Sequence, residues 1–286
     1  MAAGSASGKT PSRPVRRPSA GGSNATPPIA VPPGRNPWLT FLLPFIVYMI
    51  VGSFEPAPPK TIETETGERM PLAAEGLAAS LGIYYQHYPI VYTIKIALTL
   101  AAMLYVLPGY REFPFRVSPL AIGVGVLGVV LWIVLCKLRL EPRLLAPLGL
   151  DALFGIGERP AYNPLEQLRD HPGWAYSFLV IRFLGLALIV PIIEELFLRG
   201  FLMRFVMTDR WWEVPFGRVT PLAVALGTLV PMLMHPNELL AAAVWFSLVT
   251  WLMVRTKNIW DCVAAHAVTN LLLGIYVVTQ GAWHLW

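Results

Sequence analysis

The side chains best suited to chemistry in this chain are ionisable or polar residues inside apolar, membrane-length stretches: Glu194, Glu195, Arg199, His235, His266 and Asn270. Placing an ionisable group at the centre of a bilayer costs about 2.5–3.5 kcal/mol on insertion scales, so such residues mark functional sites. Carboxylates, imidazoles and an amide are the groups that hold and move protons. Together they predict a proton-transfer site within the membrane.

The spacing of the first three residues predicts a division of roles. On a helix, Glu195 and Arg199 are four positions apart and share a face, in the order that favours an ion pair. Glu194 points about 100° away from Glu195. We therefore predict that Arg199 neutralises Glu195 and leaves Glu194 for other work. The alternative is a purely architectural set of charges that joins helices, because charges inside a membrane pair with one another.

The composition predicts an integral membrane protein. The chain has 286 residues, of which 55% are hydrophobic and 14% are charged, against about 25% charged in soluble proteins. We predict an all-α fold: a polytopic transmembrane helical bundle of about seven (six to eight) membrane helices with a polar site within the membrane. The predicted membrane segments lie near residues 37–54, 88–108, 118–138, 178–206, 219–235, 238–255 and 259–280.

The chain divides into three predicted parts. Residues 1–36 form a disordered basic tail rich in Pro, Ser and Gly, residues 37–175 form N-terminal membrane helices and loops, and residues 176–286 form a catalytic membrane core. Basic residues favour alternate loops, which predicts a cytoplasmic N-terminus and reports topology, not nucleic-acid binding. Lys95 and Arg182 lie near segment ends, where we expect them to extend to the interface.

Three short motifs follow one another in the C-terminal half of the chain. The first is Glu-Glu-x-x-x-Arg, formed by the two glutamates and the arginine named above; the second runs from Pro231 to His235; the third is His266-x-x-x-Asn270. In this order they resemble the motifs of the CAAX-protease and bacteriocin-processing family, also called Abi or CPBP intramembrane proteases. The resemblance covers roughly residues 176–280. The chain also resembles, more weakly, the bacterial exosortase-associated CAAX-protease-related branch.

The resemblance implies an enzyme, an intramembrane endopeptidase that is CAAX prenyl protease-like and of the glutamate type. It implies that Glu194 and His235 activate the attacking water, while His266 and Asn270 donate to the developing oxyanion. The Glu–Arg ion pair would hold the geometry, although the resemblance also permits a more direct part for Glu195. The expected substrate is a membrane-associated or lipidated peptide, cleaved near its C-terminus.

The second motif departs from the family pattern, which has Phe where this chain has Pro231. A phenylalanine would wall the site, so the change bears on substrate fit more than on chemistry. The expected partners are membrane lipid and a peptide or protein substrate, without nucleic acid. The expected location is a bacterial inner (cell) membrane. The sequence does not indicate the oligomeric state.

Three other interpretations stay open. Two Glu and two His could bind zinc in a metal-dependent version of the same protease, although Asn270 is a poor zinc ligand and a good oxyanion donor. We expect no cofactor. A proton-coupled transporter would also place Glu and His in the membrane, but no internal repeat is evident. The third interpretation is a catalytically silent scaffold or immunity protein.

A single site requires an unusual backbone path. The predicted topology puts His235 at the outer end of its segment, whereas His266 lies roughly 10 Å from the cytoplasmic side at helical rise. The two can share a site if the turn at residues 235–238 enters the membrane or the helices tilt strongly. Pro231 and Pro236 favour a kinked, re-entrant turn, which is tolerated where it lines a watery cavity.

Overall fold

The computed structural model is helical apart from one pair of short strands. It describes residues 1, 36–58, 61–63, 69–71, 76–111, 113–145, 147, 149 and 161–286. The helices are α1 (Pro37–Gly52), α2 (Leu77–Ser80), α3 (Tyr88–Tyr110), α4 (Pro119–Leu138), α5 (Leu140–Leu145), α6 (Pro164–Gln167), α7 (Pro172–Phe205), α8 (Pro221–Leu233), α9 (Leu239–Thr256) and α10 (Ile259–Gln280). Short 3₁₀ turns lie at Tyr85–His87, Trp211–Glu213, Pro236–Glu238 and Trp283–Leu285. The strands are β1 (Thr61–Glu63) and β2 (Arg69–Pro71).

The predicted all-helical membrane fold is confirmed. Within the described residues, five helical stretches are long and apolar enough to cross a membrane: Tyr85–Tyr110, Pro119–Leu138, Pro172–Phe205, Pro236–Thr256 and Ile259–Gln280. The helices α1 and α8 are apolar but shorter. These seven elements match the seven segments expected from the sequence. The antiparallel pairing of β1 with β2 is confined to the loop between α1 and α2. The predicted tail lies outside the described residues except for Met1 and Asn36.

Helix α8 is too short to cross the membrane by itself. Its 13 residues rise about 20 Å, whereas the hydrocarbon core is about 30 Å thick. The chain turns at once through Pro236–Glu238 and enters α9. Glu238 in this turn is buried in the protein. The short helix and its buried turn agree with the re-entrant path that a single site requires.

The longest helix, α7, changes its winding twice. It is α-helical over Pro172–Leu184, becomes a π-helix over Gly185–Ile189, and is α-helical again over Val190–Glu195. A second π-helical stretch covers Leu196–Leu202. Single π-turns inside α-helices occur frequently at functional sites. The two glutamates therefore lie on a short α-helical stretch between two π-helical ones.

Small residues let α4 approach both α9 and α10 closely. A Cβ at Gly125 would lie 2.7 Å from the carbonyl oxygen of Ala265, and a Cβ at Gly128 would collide with the Trp245 ring. The Thr269 hydroxyl donates to the carbonyl of Gly125 at 2.8 Å. Close packing of this kind associates membrane helices, because the lipid provides no hydrophobic driving force between them. It fixes the backbone that carries the third motif.

Two buried cations correct an expectation from the sequence. Lys95 is only 4% exposed, and its Nζ lies 2.6 Å from the Glu55 carboxylate and 4.2 Å from the centre of the Tyr48 ring. Arg182 is 3% exposed and donates to the carbonyl of Tyr162 at 2.8 Å. The expectation that both extend to the interface is wrong. Partners distant in sequence hold these cations inside the protein.

The packing at Gly128 can be tested against a neighbouring glycine on the same helix. We expect Gly128→Ala to lower the stability of the purified protein by about 1–3 kcal/mol, the usual cost of overpacking, because the new methyl group collides with Trp245. Gly123 has open space around it, so Gly123→Ala serves as the control, with an expected gain of about 0.5–1 kcal/mol. Thermal unfolding in detergent measures both. Equal unfolding temperatures for the two variants would contradict this account of how α4 packs against α9 and α10.

Candidate active site

The residues of all three motifs meet around one cavity. The cavity has a volume of about 170 Å³. Its polar lining residues include Glu194 on α7, His235 after α8, and His266 and Asn270 on α10. Its apolar wall includes Trp132, Leu186, Val190, Trp245, Phe246, Leu273, Leu285 and Trp286. The structure thus brings together the four residues for which the sequence predicted direct contact with water or substrate.

The other two predicted residues lie behind the cavity in a buried network. Nη1 of Arg199 donates to Oε1 of Glu195 at 3.0 Å and is also 3.0 Å from Oε2. Both side chains are fully buried. Nη2 of Arg199 donates to the carbonyl of Phe246 on α9 at 3.1 Å. The predicted pairing of Glu195 with Arg199 is therefore present, and it also ties α7 to α9.

The network continues to the third motif through His266. Its Nδ1 lies 2.9 Å from Oε1 of Glu195. Oε1 of Glu195 already accepts from Arg199, so the hydrogen of this second contact is assigned to Nδ1 of His266. The Nε2 atom of His266 then lies on the side of Glu194, 3.9 Å from its Oε2. Glu195 therefore fixes the orientation of an imidazole as well as neutralising an arginine.

His235 is oriented in the same way by a different acceptor. Its Nδ1 lies 2.8 Å from the carbonyl oxygen of Pro231. A carbonyl oxygen only accepts, so Nδ1 is again the nitrogen that carries the hydrogen. In the neutral ring, Nε2 is then the nitrogen that accepts. The His235 ring lies edge-on to Trp132 and is tilted against Phe246, with 5.7 Å between the ring centres in each pair. At the position where the family has Phe, Pro231 thus contributes its carbonyl to the site.

Asn270 is held by a backbone carbonyl that α7 leaves without its helical donor. In the π-helical stretch the N–H of Val190 donates to the carbonyl of Gly185, so the next carbonyl, that of Leu186, would take its hydrogen from residue 191. That residue is Pro191, which has no N–H. Nδ2 of Asn270 donates to the Leu186 carbonyl instead, at 2.8 Å. One N–H of the amide is used in this way, and the amide carries two.

Glu194 stands apart from the ion pair. Its side chain is 14% exposed and lines the cavity with Val190 and Leu186. Within the described part of the chain, Glu194 makes no hydrogen bond, and the nearest cationic or imidazole nitrogen is Nε2 of His266 at 3.9 Å. A carboxylate in this position can accept a proton from a water bound in the cavity.

The imidazole and carboxylate side chains around the cavity could also be considered as ligands of a metal ion. Imidazole and carboxylate suit zinc, and an imidazole whose second nitrogen donates to a carboxylate or a carbonyl is typical of zinc sites. Both His235 and His266 have such a partner. Among the described residues, however, no three His, Cys, Asp or Glu side chains are gathered closely enough to hold a metal ion. A metal would require Glu194 and the two imidazoles to move together.

The sequence alone did not indicate several residues that shape the cavity. Tyr48 comes from α1, Trp245 and Phe246 come from α9, and Leu285 and Trp286 come from the turn after α10. No polar motif marks these positions, because aromatic and aliphatic residues are frequent throughout membrane helices. Their contribution depends on how the helices pack.

A carboxylate beside two imidazoles and an amide, enclosed by apolar helices, can supply a general base and hydrogen-bond donors for an oxyanion. Residues 176–272 match the Rce1-like family model, described as "Type II CAAX prenyl endopeptidase Rce1-like". The match confirms the family resemblance over about a third of the chain and supports an integral membrane endopeptidase of the CAAX type. No significant match was found among curated proteins or among solved structures.

The buried network predicts the effect of removing its cation. Arg199→Met leaves Glu195 buried without a counter-charge, and breaking a buried pair in this way typically costs about 3–5 kcal/mol. We expect a large drop in unfolding temperature, and we expect the double variant Glu195→Gln/Arg199→Met to recover part of it. A single variant as stable as the wild type would show that the pair does not hold the helices together.

Proposed function

We propose that the protein is an intramembrane endopeptidase that hydrolyses a peptide bond near the C-terminus of a membrane-associated or lipidated substrate. The observation that carries the proposal is the placement of Glu194. Its carboxylate lies in an enclosed cavity, outside the Glu195–Arg199 pair, beside the Nε2 side of His266. The family match over residues 176–272 supports the same reaction.

In the proposed mechanism, Glu194 is the general base. A water in the cavity donates one hydrogen to the Glu194 carboxylate and is held on its other side by His235, whose Nε2 has a lone pair when the ring is neutral. Proton transfer to Glu194 then accompanies attack on the scissile carbonyl. Positioned general bases contribute typically about 10²–10⁴-fold to rate. The protonated Glu194 returns the proton to the leaving amine, so no proton is lost over the cycle.

The oxyanion would be held by α10. The remaining N–H of Asn270 and the Nε2 position of His266 are one helical turn apart on the face that lines the cavity. His266 can donate from Nε2 only as the doubly protonated imidazolium, because Nδ1 already donates to Glu195. The two carboxylates on either side of the ring provide the charge that an imidazolium requires. The mechanism thus assigns Glu195 a positioning role through His266.

The apolar wall has a chemical purpose in this proposal. Trp132, Trp245 and Phe246 surround the polar groups, and exclusion of bulk water strengthens every electrostatic interaction inside the cavity. We further propose that the enzyme lies in a bacterial inner membrane. Its N-terminus would be cytoplasmic, since basic residues favour alternate loops. The partners would be membrane lipid and the peptide substrate.

The general base is tested by an isosteric change. Glu194→Gln keeps the shape of the side chain and removes its basicity, so we expect hydrolysis of a model C-terminal peptide to fall by about 10²–10⁴-fold. The unfolding temperature should stay near that of the wild type. Glu213→Gln is the matched control, because Glu213 is exposed and its ion pair among the described residues is with the exposed Arg210. Turnover by Glu194→Gln at the rate of this control would remove Glu194 from the mechanism.

A zinc-dependent version of the same protease is the second candidate, favoured by the partners of the two imidazoles. Our proposal predicts that the purified enzyme keeps its activity after exhaustive treatment with EDTA or phenanthroline. It also predicts no stoichiometric metal by elemental analysis. The zinc mechanism is supported instead if about one zinc per chain is found, and if chelation abolishes an activity that added zinc restores.

A further inference from the structure

Three arginines are buried in the C-terminal membrane core, and two of them are fully accounted for. Arg199 is neutralised by Glu195. Arg204 donates through Nε, Nη1 and Nη2 to the carbonyls of Val214, Gly200 and Trp212. The third, Arg182, makes a single hydrogen bond, to the carbonyl of Tyr162, and its Nε is buried without a partner.

Arg182 has no counter-charge among the described residues. The other buried cation in this part of the fold, Lys95, is neutralised by Glu55. Burial raises the pKa of Tyr162 to about 12, so this neighbour stays a neutral phenol, and its hydroxyl is also buried without a partner. Burying an unpaired charge is costly. The Arg182 guanidinium, with its Nε buried and unpaired, is therefore suited to bind an anion.

Arg182 is separated from the active-site cavity by one side chain. Its guanidinium carbon lies 4.6 Å from the centre of the Trp286 ring, and Trp286 lines the cavity. The Trp286 ring packs edge-on against Phe183 at 5.1 Å, and the absence of a side chain at Gly274 makes room for it. Trp286 follows a short 3₁₀ turn after α10. A small movement of this ring would open the cavity to Arg182.

The cavity also extends towards Arg182 along a single helix. Glu194, Val190 and Leu186 all line it and are spaced four residues apart on α7. Arg182 precedes Leu186 by four residues, on the α-helical part of α7 that comes before the π-helical stretch. A substrate chain lying along this face would have the general base at one end and the unpaired guanidinium at the other.

We propose that Arg182 binds the free C-terminal carboxylate of the substrate and thereby sets the distance from the chain end at which the peptide bond is cleaved. This assignment rests on the proposed endopeptidase function and names its substrate class, peptides with a free α-carboxylate. Arginine suits the role because its planar guanidinium binds a carboxylate through paired hydrogen bonds. Trp286 would cover the guanidinium until the substrate displaces its ring.

The same geometry limits the length of the released fragment. Twelve residues separate positions 182 and 194, which is about 18 Å of helix. An extended peptide advances about 3.3 Å per residue. At most about five residues would therefore lie between the cleaved bond and the terminal carboxylate. Arg182 is a specificity residue in this proposal and takes no part in proton transfer.

The test compares two lipidated model peptides that differ only at the C-terminus, one with a free carboxylate and one with a carboxamide. We expect the wild type to hydrolyse the free acid about 10–100-fold more efficiently, the range for hydrogen bonds to a charged group. Arg182→Gln should lose this preference by slowing hydrolysis of the acid alone, and Arg182→Lys should keep part of it. Arg210→Gln, which changes an exposed arginine (73% relative exposure), should keep the full preference.

The outcomes separate failure of the inference from failure of the proposed function. If the wild type hydrolyses acid and amide equally, Arg182 does not read the carboxylate, although the enzyme is still a peptidase. Equal slowing of both peptides in Arg182→Gln would also overturn the inference and would favour a structural role or a lipid phosphate as the bound anion. If the wild type hydrolyses neither peptide, or if Glu194→Gln hydrolyses both at wild-type rates, the proposed function itself fails.

Discussion

The buried pairing of Glu195 with Arg199 is the interaction on which the rest of the site depends. Each charge would be costly alone inside the membrane. Because Arg199 also reaches the carbonyl of Phe246 and Glu195 reaches His266, the pair fixes α7 against α9 and α10 at once. The relative positions of Glu194, His266 and Asn270, the proposed general base and oxyanion donors, therefore depend on this charge pairing.

A proline is the second constraint, and it acts on the backbone. Pro191 inside α7 cannot donate to the preceding turn, and the helix adjusts through a π-helical stretch at Gly185–Ile189. The carbonyl left over, that of Leu186, is taken by Asn270. A carbonyl that has no donor within its own helix thus accepts a hydrogen bond from a polar side chain of another helix. Catalytic geometry and helix packing share the same atoms here, so a substitution at Pro191 would affect both.

The sequence predicted much of this arrangement because its strongest signals are local. Membrane-length apolar runs and the i,i+4 spacing of Glu195 and Arg199 need no knowledge of distant contacts. The link from Glu195 to His266, the Leu186 carbonyl and the aromatic wall could not be predicted, since each depends on how separate helices pack. For the same reason Lys95 and Arg182 were misjudged: position along a helix suggests depth in the membrane, but the partners Glu55 and Tyr162 come from elsewhere in the chain.

The charges around the cavity also impose a direction on any bound peptide. At one end, Glu194 stands beside His266, where an amide carbonyl can be attacked. At the other end, Arg182 carries a positive charge that no described acid neutralises, while the nearby cation Lys95 is already paired with Glu55. A peptide with an anionic end is favoured in one orientation and disfavoured in the reverse, because the reverse places its carboxylate beside the glutamate. If Arg182 binds the terminal carboxylate and Glu194 is the general base, as proposed, recognition of the chain end and selection of the cleaved bond both follow from these two charges.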